Sequence, residues 1–489
     1  MNYLIGIDAG TTNQKVILFD EEGTVVRQAS RPSPLTASPD GTAVYDAHAV
    51  WEQICALLRE ITSEDGHRRQ IAGIAVTGMA EAGVPLSKSG EALYPFIAWY
   101  DPRTVPYTAW WNQHYGAANI AEITGLRVQH IFSVNKLMWL RDHLPEVYRQ
   151  MTMWACMEDF IAFRLSGVLK MDTSIGSRTM MMDLQRQDWS PAILEAAGIS
   201  PEILPELVPS GTRVGQVTTA AAAKTGLLAG TPVYAGGHDH VCGALACGVL
   251  RPGAVLDSSG TAEEILAASS DFGRIQTLGA EGFNVGRHVA AGRYYMAGGI
   301  PASGAAVDWF QNQFSPEPAS DRPAAEGLLF LPHLRGGSSP ERNPVSRGAF
   351  LGIRHFHTRA DFQQAVYEGL SFEFLQSLLH LTEGAPPEKI IAIGGGTKNR
   401  RWMETKADVT GLPIEIPAIQ ESTALGAALL AGIGAGIYAS AEDAAARVYR
   451  VGTTIRPKEG LREAYDRKFS VFTQVYDTLL PLHQELSQV

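Results

Sequence analysis

The chain writes one short pattern twice. Its first twenty residues, "MNYLIGIDAGTTNQKVILFD", read as two strands, "YLIGID" and "KVILFD", joined by a glycine and threonine turn with an acid at the bend. About 250 residues later "GAVLDSSGTAEEILA", from Gly253, repeats strand, small polar turn and strand, with Gly260 and Thr261 where the first copy has Gly10 and Thr11. An echo follows each hairpin: "QIAGIAVTGM" from Gln70 and "KIIAIGGGTKN" from Lys389 are both apolar strands that run into glycine. A pattern that recurs in order predicts two related α/β domains rather than one long unit, and 489 residues suffice for both. The division is expected soon after "GGHDHVCG" (236–243) and before the second hairpin, giving domains 1–245 and 246–489.

Helical spacing fills the intervals. "DAHAVWEQICALLREI" from Asp46 has an aspartate in N-cap position, and "HTRADFQQAVYEGLSFEFLQSLLHLTEG" from His357 is expected to stop at Gly384. Proline and glycine cluster at 201–215 and 317–348, which read as loops. "GIGAG" near Gly432 follows an alanine-rich helical run and reads as close helix packing, not as a nucleotide turn.

Charge excludes one large class. With 40 Lys and Arg against 51 Asp and Glu the net charge is −11, the wrong sign for gripping nucleic acid, whereas an anionic small molecule needs only a locally positive pocket. Cys55, Cys156, Cys242 and Cys247 form no CxxC pair, so neither a disulfide framework nor a zinc ribbon is indicated. The N-terminus has no basic segment followed by an apolar run, and "ALGAALLAGIGAGIYA" from Ala424 is shorter than the ~20 residues that span a bilayer. A cytoplasmic protein without a membrane span is expected.

"GGHDHVCG" admits three readings: a metal site, a catalytic base, or a tight turn into a helix. A metal set of His238, Asp239, His240 and Cys242 fits poorly, because adjacent side chains point apart and no second cluster has ligand spacing. "HDHVCGALACGV" instead opens a helix whose small residues Gly243, Ala244, Ala246 and Gly248 allow tight packing. Asp239 then stands at its N-terminus, where the helix dipole favours an ionised carboxylate, and Cys242 and Cys247 are small core residues.

On these segments the chain resembles the FGGY family of sugar kinases over almost its whole length, closest in character to the xylulokinase-like and L-fuculokinase-like branches. "GIDAGTTNQKVILFD" is similar to the family's N-terminal phosphate loop, "PFIAWYDPR" (95–103) to its sugar-side segment, and "GGHDHVCGALACGV" to its catalytic turn. From Gly348, "GAFLGIRHFHTRADFQQAVYE" sets Asp361, Ala365 and Glu368 as the C-terminal signature requires, while "SVNKLMWLRDH" fits the other signature except for Ile131, where the family prefers an aromatic, Met, Gly or Ser. The resemblance implies two ribonuclease-H-like domains, of the actin and hexokinase ATPase type, around a cleft that closes on ATP and a sugar.

Phosphoryl transfer needs phosphates held by backbone N–H groups, a divalent ion, and a group to take the hydroxyl proton. No GxxxxGK[ST] is present, so a P-loop kinase is excluded. Gly10, Thr11 and Thr12, and Gly260 with Thr261, offer backbone donors and hydroxyls. The resemblance sets these turns on opposite sides of the ATP phosphates, Asp8 at Mg²⁺ through water, and Gly395 and Asn399 of "IGGGTKN" at adenine. It makes Asp239 the general base, and puts Glu81, Asp101, Arg103, His238 and His240 on the sugar side. The N-terminal domain would thus hold the sugar, first phosphate loop and base, and the C-terminal domain the second loop and adenine. "GMAEAG" (78–83) departs from the Gln-Met-His of xylulokinases and the Arg-Glu of glycerol kinases.

The expected activity is ATP-dependent phosphorylation of a ketose such as a pentulose or deoxyhexulose, with Mg²⁺ and ATP, and no nucleic-acid or membrane partner. A homodimer is an assembly open to it. The alternative of a catalytically impaired sugar-sensing protein of the same fold would have no need of Asp8, both turns and Asp239 together. An NAD enzyme would need GxGxxG after an N-terminal strand, which "GIDAGTT" does not provide.

Overall fold

The computed structural model describes residues 2–63, 68, 70–314, 326–384 and 386–488. The first hairpin consists of β1 (Tyr3–Ala9) and β2 (Asn13–Asp20), with β3 (Val25–Pro32) antiparallel to β2. On the other side of β1 lies β4 (Ile71–Gly78), parallel to it. The edge strand β5 (Arg213–Gln216) is antiparallel to β6 (Pro232–His238), which is parallel to β4. The spatial order is β3-β2-β1-β4-β6-β5.

The second hairpin is β7 (Ala254–Ser259) and β8 (Glu263–Ser269). β9 (Asn284–Arg287) pairs with β10 (Tyr294–Ile300), which is antiparallel to β8. β11 (Lys389–Ile393) is parallel to β7, β12 (Ile414–Pro417) is parallel to β11, and β13 (Val451–Ile455) closes the edge antiparallel to β12. Reading β10-β8-β7-β11-β12-β13 reproduces the first sheet in order and in direction, with β9 added outside. The repeat seen in the sequence is therefore a repeat of topology. Strands such as β1 and β4 are buried along nearly their whole length because helices cover both faces of a central parallel strand.

Helix α1 (Ala47–Ile61) starts where Asp46 accepts the Ala49 N–H, and it turns Val50, Trp51, Ile54 and Leu58 onto the first sheet. Asp239 opens the short α2 (Asp239–Ala246), and α3 (Gly304–Gln313) follows β10. The long α4 (Arg359–Leu381) is capped by Thr358 and Asp361 reciprocally. It ends just before the left-handed Gly384. α5 (Arg400–Thr410) begins at the Asn399 cap, and α6 (Ser422–Gly434) carries the alanine-rich run.

Each sheet has its own core, and a third core joins the halves, where α2 and α6 pack with Leu4 and Phe19 of the first sheet and Leu256 and Ile391 of the second. The contact needs glycine. A Cβ on Gly6 would lie 1.9 Å from the Ala424 carbonyl oxygen, and one on Gly426 1.9 Å from that of Cys242. Gly432 packs as expected, 2.4 Å from the Tyr438 ring by the same measure. All four cysteines are free and buried.

The two segments read as loops are more ordered than expected. Glu206–Val208 pairs with Lys170–Asp172, and Leu329–Leu331 with Ala349–Leu351, so short strands lie between the prolines. "EPASDRP" (317–323) falls outside the described residues. Among the described residues, no helix is long and apolar enough to cross a membrane.

Candidate active site

β1, β4 and β6 run parallel and end side by side at Ala9, Gly78 and His238. Ligand crevices in such sheets form beyond the carboxyl ends of the strands. There a cavity of roughly 320 Å³ opens between the halves. The N-terminal half supplies Thr11, Met79, Glu81, Trp99, Arg178 and the run His238–His240; the C-terminal half supplies Ala262–Glu264, Asn284, Gly299–Pro301 and Arg342.

Asp239 is the first residue of α2 and three-quarters buried. Its Oδ1 accepts the His240 backbone N–H at 2.7 Å and lies 3.5 Å from His238 Nε2 and 3.9 Å from His240 Nε2. The helix dipole does not dominate here: burial holds the Asp239 carboxyl above the usual range, opposed by His240. The flanking histidines differ. Burial and the Arg178 charge push His238 well below 6.5, so its ring is neutral, and it stacks on Tyr295 with centroids 6.0 Å apart. Burial also disfavours charge on His240, but Asp239 and Glu264 outweigh it and raise its pKa. The two rings are tilted at 44° with centroids 5.6 Å apart.

Glu81 lines the cavity with backbone in the left-handed region, φ 59°. Such strain in a non-glycine residue is characteristic of functional sites. Its Oε1 pairs with Arg178, at 2.7 Å from Nε and 2.5 Å from Nη2, with both side chains under a tenth exposed. Burial raises the Glu81 pKa while Arg178 and Lys136 oppose the rise.

Asp101 and Arg103 do not join this group. Arg103 binds Asp101 through Nε (2.8 Å) and Nη2 (2.9 Å), reaches Tyr94 with Nη1, and covers the Trp139 ring. The second Asp101 oxygen also accepts the Ala43 N–H at 2.7 Å. With their polar atoms thus engaged, neither lines the cavity, and the "WYDPR" segment reaches it through Trp99.

The two turns are built alike, but not with all donors open. The Gly10 N–H closes its own hairpin on the Asn13 carbonyl, and the Gly260 N–H closes on Ala262. Among the described residues, the backbone N–H groups of Thr11, Thr12 and Thr261 donate to no protein acceptor. Trp99 Nε1 donates to Thr11 Oγ1 and the Tyr45 hydroxyl to the Thr11 carbonyl, fixing the first turn. Burial, followed by the Asp239 charge, pushes the Asp8 carboxyl up to about 7.

The second turn rests on a buried charge cluster that the sequence did not reveal. Lys406 of α5 is fully buried and contacts Asp257 Oδ2 at 2.5 Å and Glu263 Oε1 at 2.7 Å. Ser303 binds the other Glu263 oxygen, and the Ser303 and Gly304 N–H groups reach the Thr261 and Gly260 carbonyls. Gly394, at φ 91°, brings the "GGG" loop against the same turn, since a Cβ there would stand 2.4 Å from the Ser259 carbonyl oxygen. Nothing lies within 4 Å of a Cβ placed on Gly395, so this glycine faces open space. Asn399 caps α5 through Oδ1 and donates to the Tyr367 hydroxyl.

Trp99, Arg178, Glu264 and Arg342 line the cavity, and none of them was singled out from the sequence. Only Arg178 left a trace, as the lone cation in "SIGSRTMMM".

Two halves of one topology, each presenting a glycine and threonine turn to a shared cavity with a carboxylate on its wall, define an ATP-dependent sugar phosphotransferase. Comparison with known proteins gives the family. Residues 3–246 match the N-terminal domain of the FGGY family of carbohydrate kinases and residues 280–435 its C-terminal domain. The chain is 31% identical to the xylulose kinase of Bacillus subtilis (strain 168), over 97% of each chain. It is 28% identical to the autoinducer-2 kinase of Klebsiella pneumoniae, over 99% of this chain and 95% of that protein. The crystal structure of xylulose kinase from Rhodospirillum rubrum superposes with a TM-score of 0.90 at 31% identity, covering 99% of this chain and all of that one. The chain belongs to the FGGY family of carbohydrate kinases, and nothing favours the impaired, sugar-sensing alternative.

Proposed function

We propose that this kinase transfers the γ-phosphoryl group of ATP to the terminal hydroxyl of a ketose, such as a pentulose or deoxyhexulose. The observation that carries the reading is the position of Asp239 on a cavity walled by both turns. Oδ1 is taken by the His240 N–H, which leaves Oδ2 to receive the hydroxyl proton. A carboxyl held above its usual pKa is a stronger base when ionised than a free aspartate. The xylulose kinases among the similar proteins support a pentulose.

The open N–H groups of Thr11, Thr12 and Thr261, behind Gly10 and Gly260, would cradle the phosphates. Gly395 and Asn399 would meet the adenine. Among the described residues there is no group of three ligand side chains that could hold a metal, which suits an ion that keeps most of its waters. Asp8 is the carboxylate beside the first turn that could hold Mg²⁺ through water, and the ion would supply charge neutralisation at the phosphates. Glu81 and the two histidines would shape the sugar pocket, and Asp101 and Arg103 would act on it only through the segment they brace. We divide the chain at 245/246, after the base, and assign it to the cytoplasm. A homodimer stays open and is read from mass in solution.

Screening pentuloses, hexuloses, deoxy sugars and polyols with Mg·ATP for ADP release tests the reading; turnover of aldoses or glycerol in preference to every ketose would overturn it.

A further inference from the structure

Glu264 lines the cavity from β8, yet its carboxylate has no hydrogen-bond or ion-pair partner among the described residues. Its neighbour across the ladder is Gly299 of β10, within the ~5 Å typical of directly opposed residues. Gly299 leaves room for Arg342 beside Glu264: a Cβ there would stand 2.9 Å from Arg342 Nη2. Arg342 is itself held by neutral groups, Nε on the Ser339 hydroxyl at 2.9 Å and Nη1 on the Gln129 amide oxygen at 3.4 Å, the latter across from the other half. Its backbone is in the left-handed region, φ 44°. The other cations nearby are already matched, Arg178 by Glu81 and Lys406 by Asp257 and Glu263.

We propose that Glu264 and Arg342 form a sugar subsite, contributed by the C-terminal half, that grips hydroxyls other than the one phosphorylated and selects a neutral polyhydroxylated acceptor over a sugar acid. The inference rests on the kinase reading above and names which part of the acceptor the second wall reads. A carboxylate alone would accept hydroxyl protons, and a guanidinium alone would suit an anion. Side by side they offer an acceptor and donors, the complement of adjacent hydroxyls. A carboxylate on the sugar would meet the charge of Glu264, and Arg342, which stands beside that same carboxylate, would have to serve both anions. Because Gln129 of the N-terminal half steadies Arg342, the subsite is complete only when both halves contribute.

The test compares D-xylulose with D-gluconate as acceptors for the wild type, Glu264→Gln, Arg342→Lys and Arg342→Gln. Sugar binding is measured by calorimetry apart from turnover. Losing one charged hydrogen bond should raise the sugar Kd and KM roughly 10- to 100-fold, with the KM for ATP moving far less. Arg342→Lys, which keeps the charge and one donor, should lie between the wild type and Arg342→Gln, while a folding defect would raise both KM values together. Sugar constants within twofold of wild type in both Gln variants, or a wild-type preference for gluconate, would overturn the subsite. If the wild type binds D-xylulose without turning it over, the ketokinase reading fails while the binding constants still decide the subsite.

Discussion

Burial and the negative charge of Asp239 together hold the Asp8 carboxyl at about 7, although Lys15 faces Asp8 across the β1–β2 ladder. Lys15 is drawn away to Glu421, 2.6 Å off, at the start of α6. The folded protein therefore keeps a site where negative charge is costly until a cation arrives.

The sign of the resulting pH dependence follows. Asp8 has a folded pKa above its unfolded value of 3.8. The folded state holds the extra proton between those values, so stability from this group is present below pH ~4 and is lost as pH rises to ~7. Asp8→Asn should melt higher than wild type at pH 8 in metal-free buffer, with no advantage at pH 4. Added Mg²⁺ should narrow the gap by stabilising only the wild type. Equal melting temperatures of the two proteins at pH 8 would remove Asp8 from this role.

Asp239→Asn retains the shape of the side chain and removes its basicity. Turnover should fall roughly 10² to 10⁴-fold, the usual contribution of a general base, while the sugar Kd stays within a few-fold. Near-normal kcat in this variant would remove Asp239 as the base and leave it only as the acidic first residue of α2.

Glu81→Ala and Arg103→Ala should part company. Each leaves a buried charge without its partner, a loss of about 3 to 5 kcal/mol, visible in urea unfolding. Only Glu81 lines the cavity, so only its variant should lose sugar affinity more than ATP affinity. A sugar-specific loss in Arg103→Ala would mean that the segment moves in the bound state.

Lys406→Met strands Asp257 and Glu263 beside each other. Burial, with Asp257 next, already holds Glu263 at about 7 against the pull of Lys406. The variant should be destabilised more at pH 8 than at pH 5, because removing the cation leaves carboxylates that ionise at a growing cost. The same loss at both pH values would show that Lys406 acts through packing alone. The KM for ATP should rise with it, since Ser259 and the second turn lose their support.

What the sequence made legible was what local pattern encodes. Strand periodicity and the glycine and threonine pairs located both hairpins, and Asp46 and Gly384 bounded their helices to within a few residues. Asp239 stands at the start of α2, as the run of small residues after it led us to expect, whereas its role as base came from the resemblance alone. Glu264 and Arg342 were not expected, because what sets both on one wall is Gly299, opposite the first and beside the second, and the three lie on separated segments. Asp101 and Arg103 misled for the converse reason: an Asp and Arg two apart read the same whether they face a ligand or each other, and only the Ala43 N–H and Tyr94 hydroxyl decide it.

The doubled topology also sets the two hairpins side by side as castings from one mould. Asp8 precedes Gly10 by two residues, as Ser258 precedes Gly260. Across the ladder Asp8 faces Lys15, and Ser258 faces Glu264. The first copy thus carries an acid opposite a lysine, and the second a hydroxyl opposite an acid, so the charges have been dealt out asymmetrically over a symmetric frame. Two identical copies would carry two acids on their first strands and offer whatever lies between them the same charge from either side. The asymmetry between the halves is therefore written, in part, in two positions of a shared scaffold, 8 and 15 in one hairpin and 258 and 264 in the other.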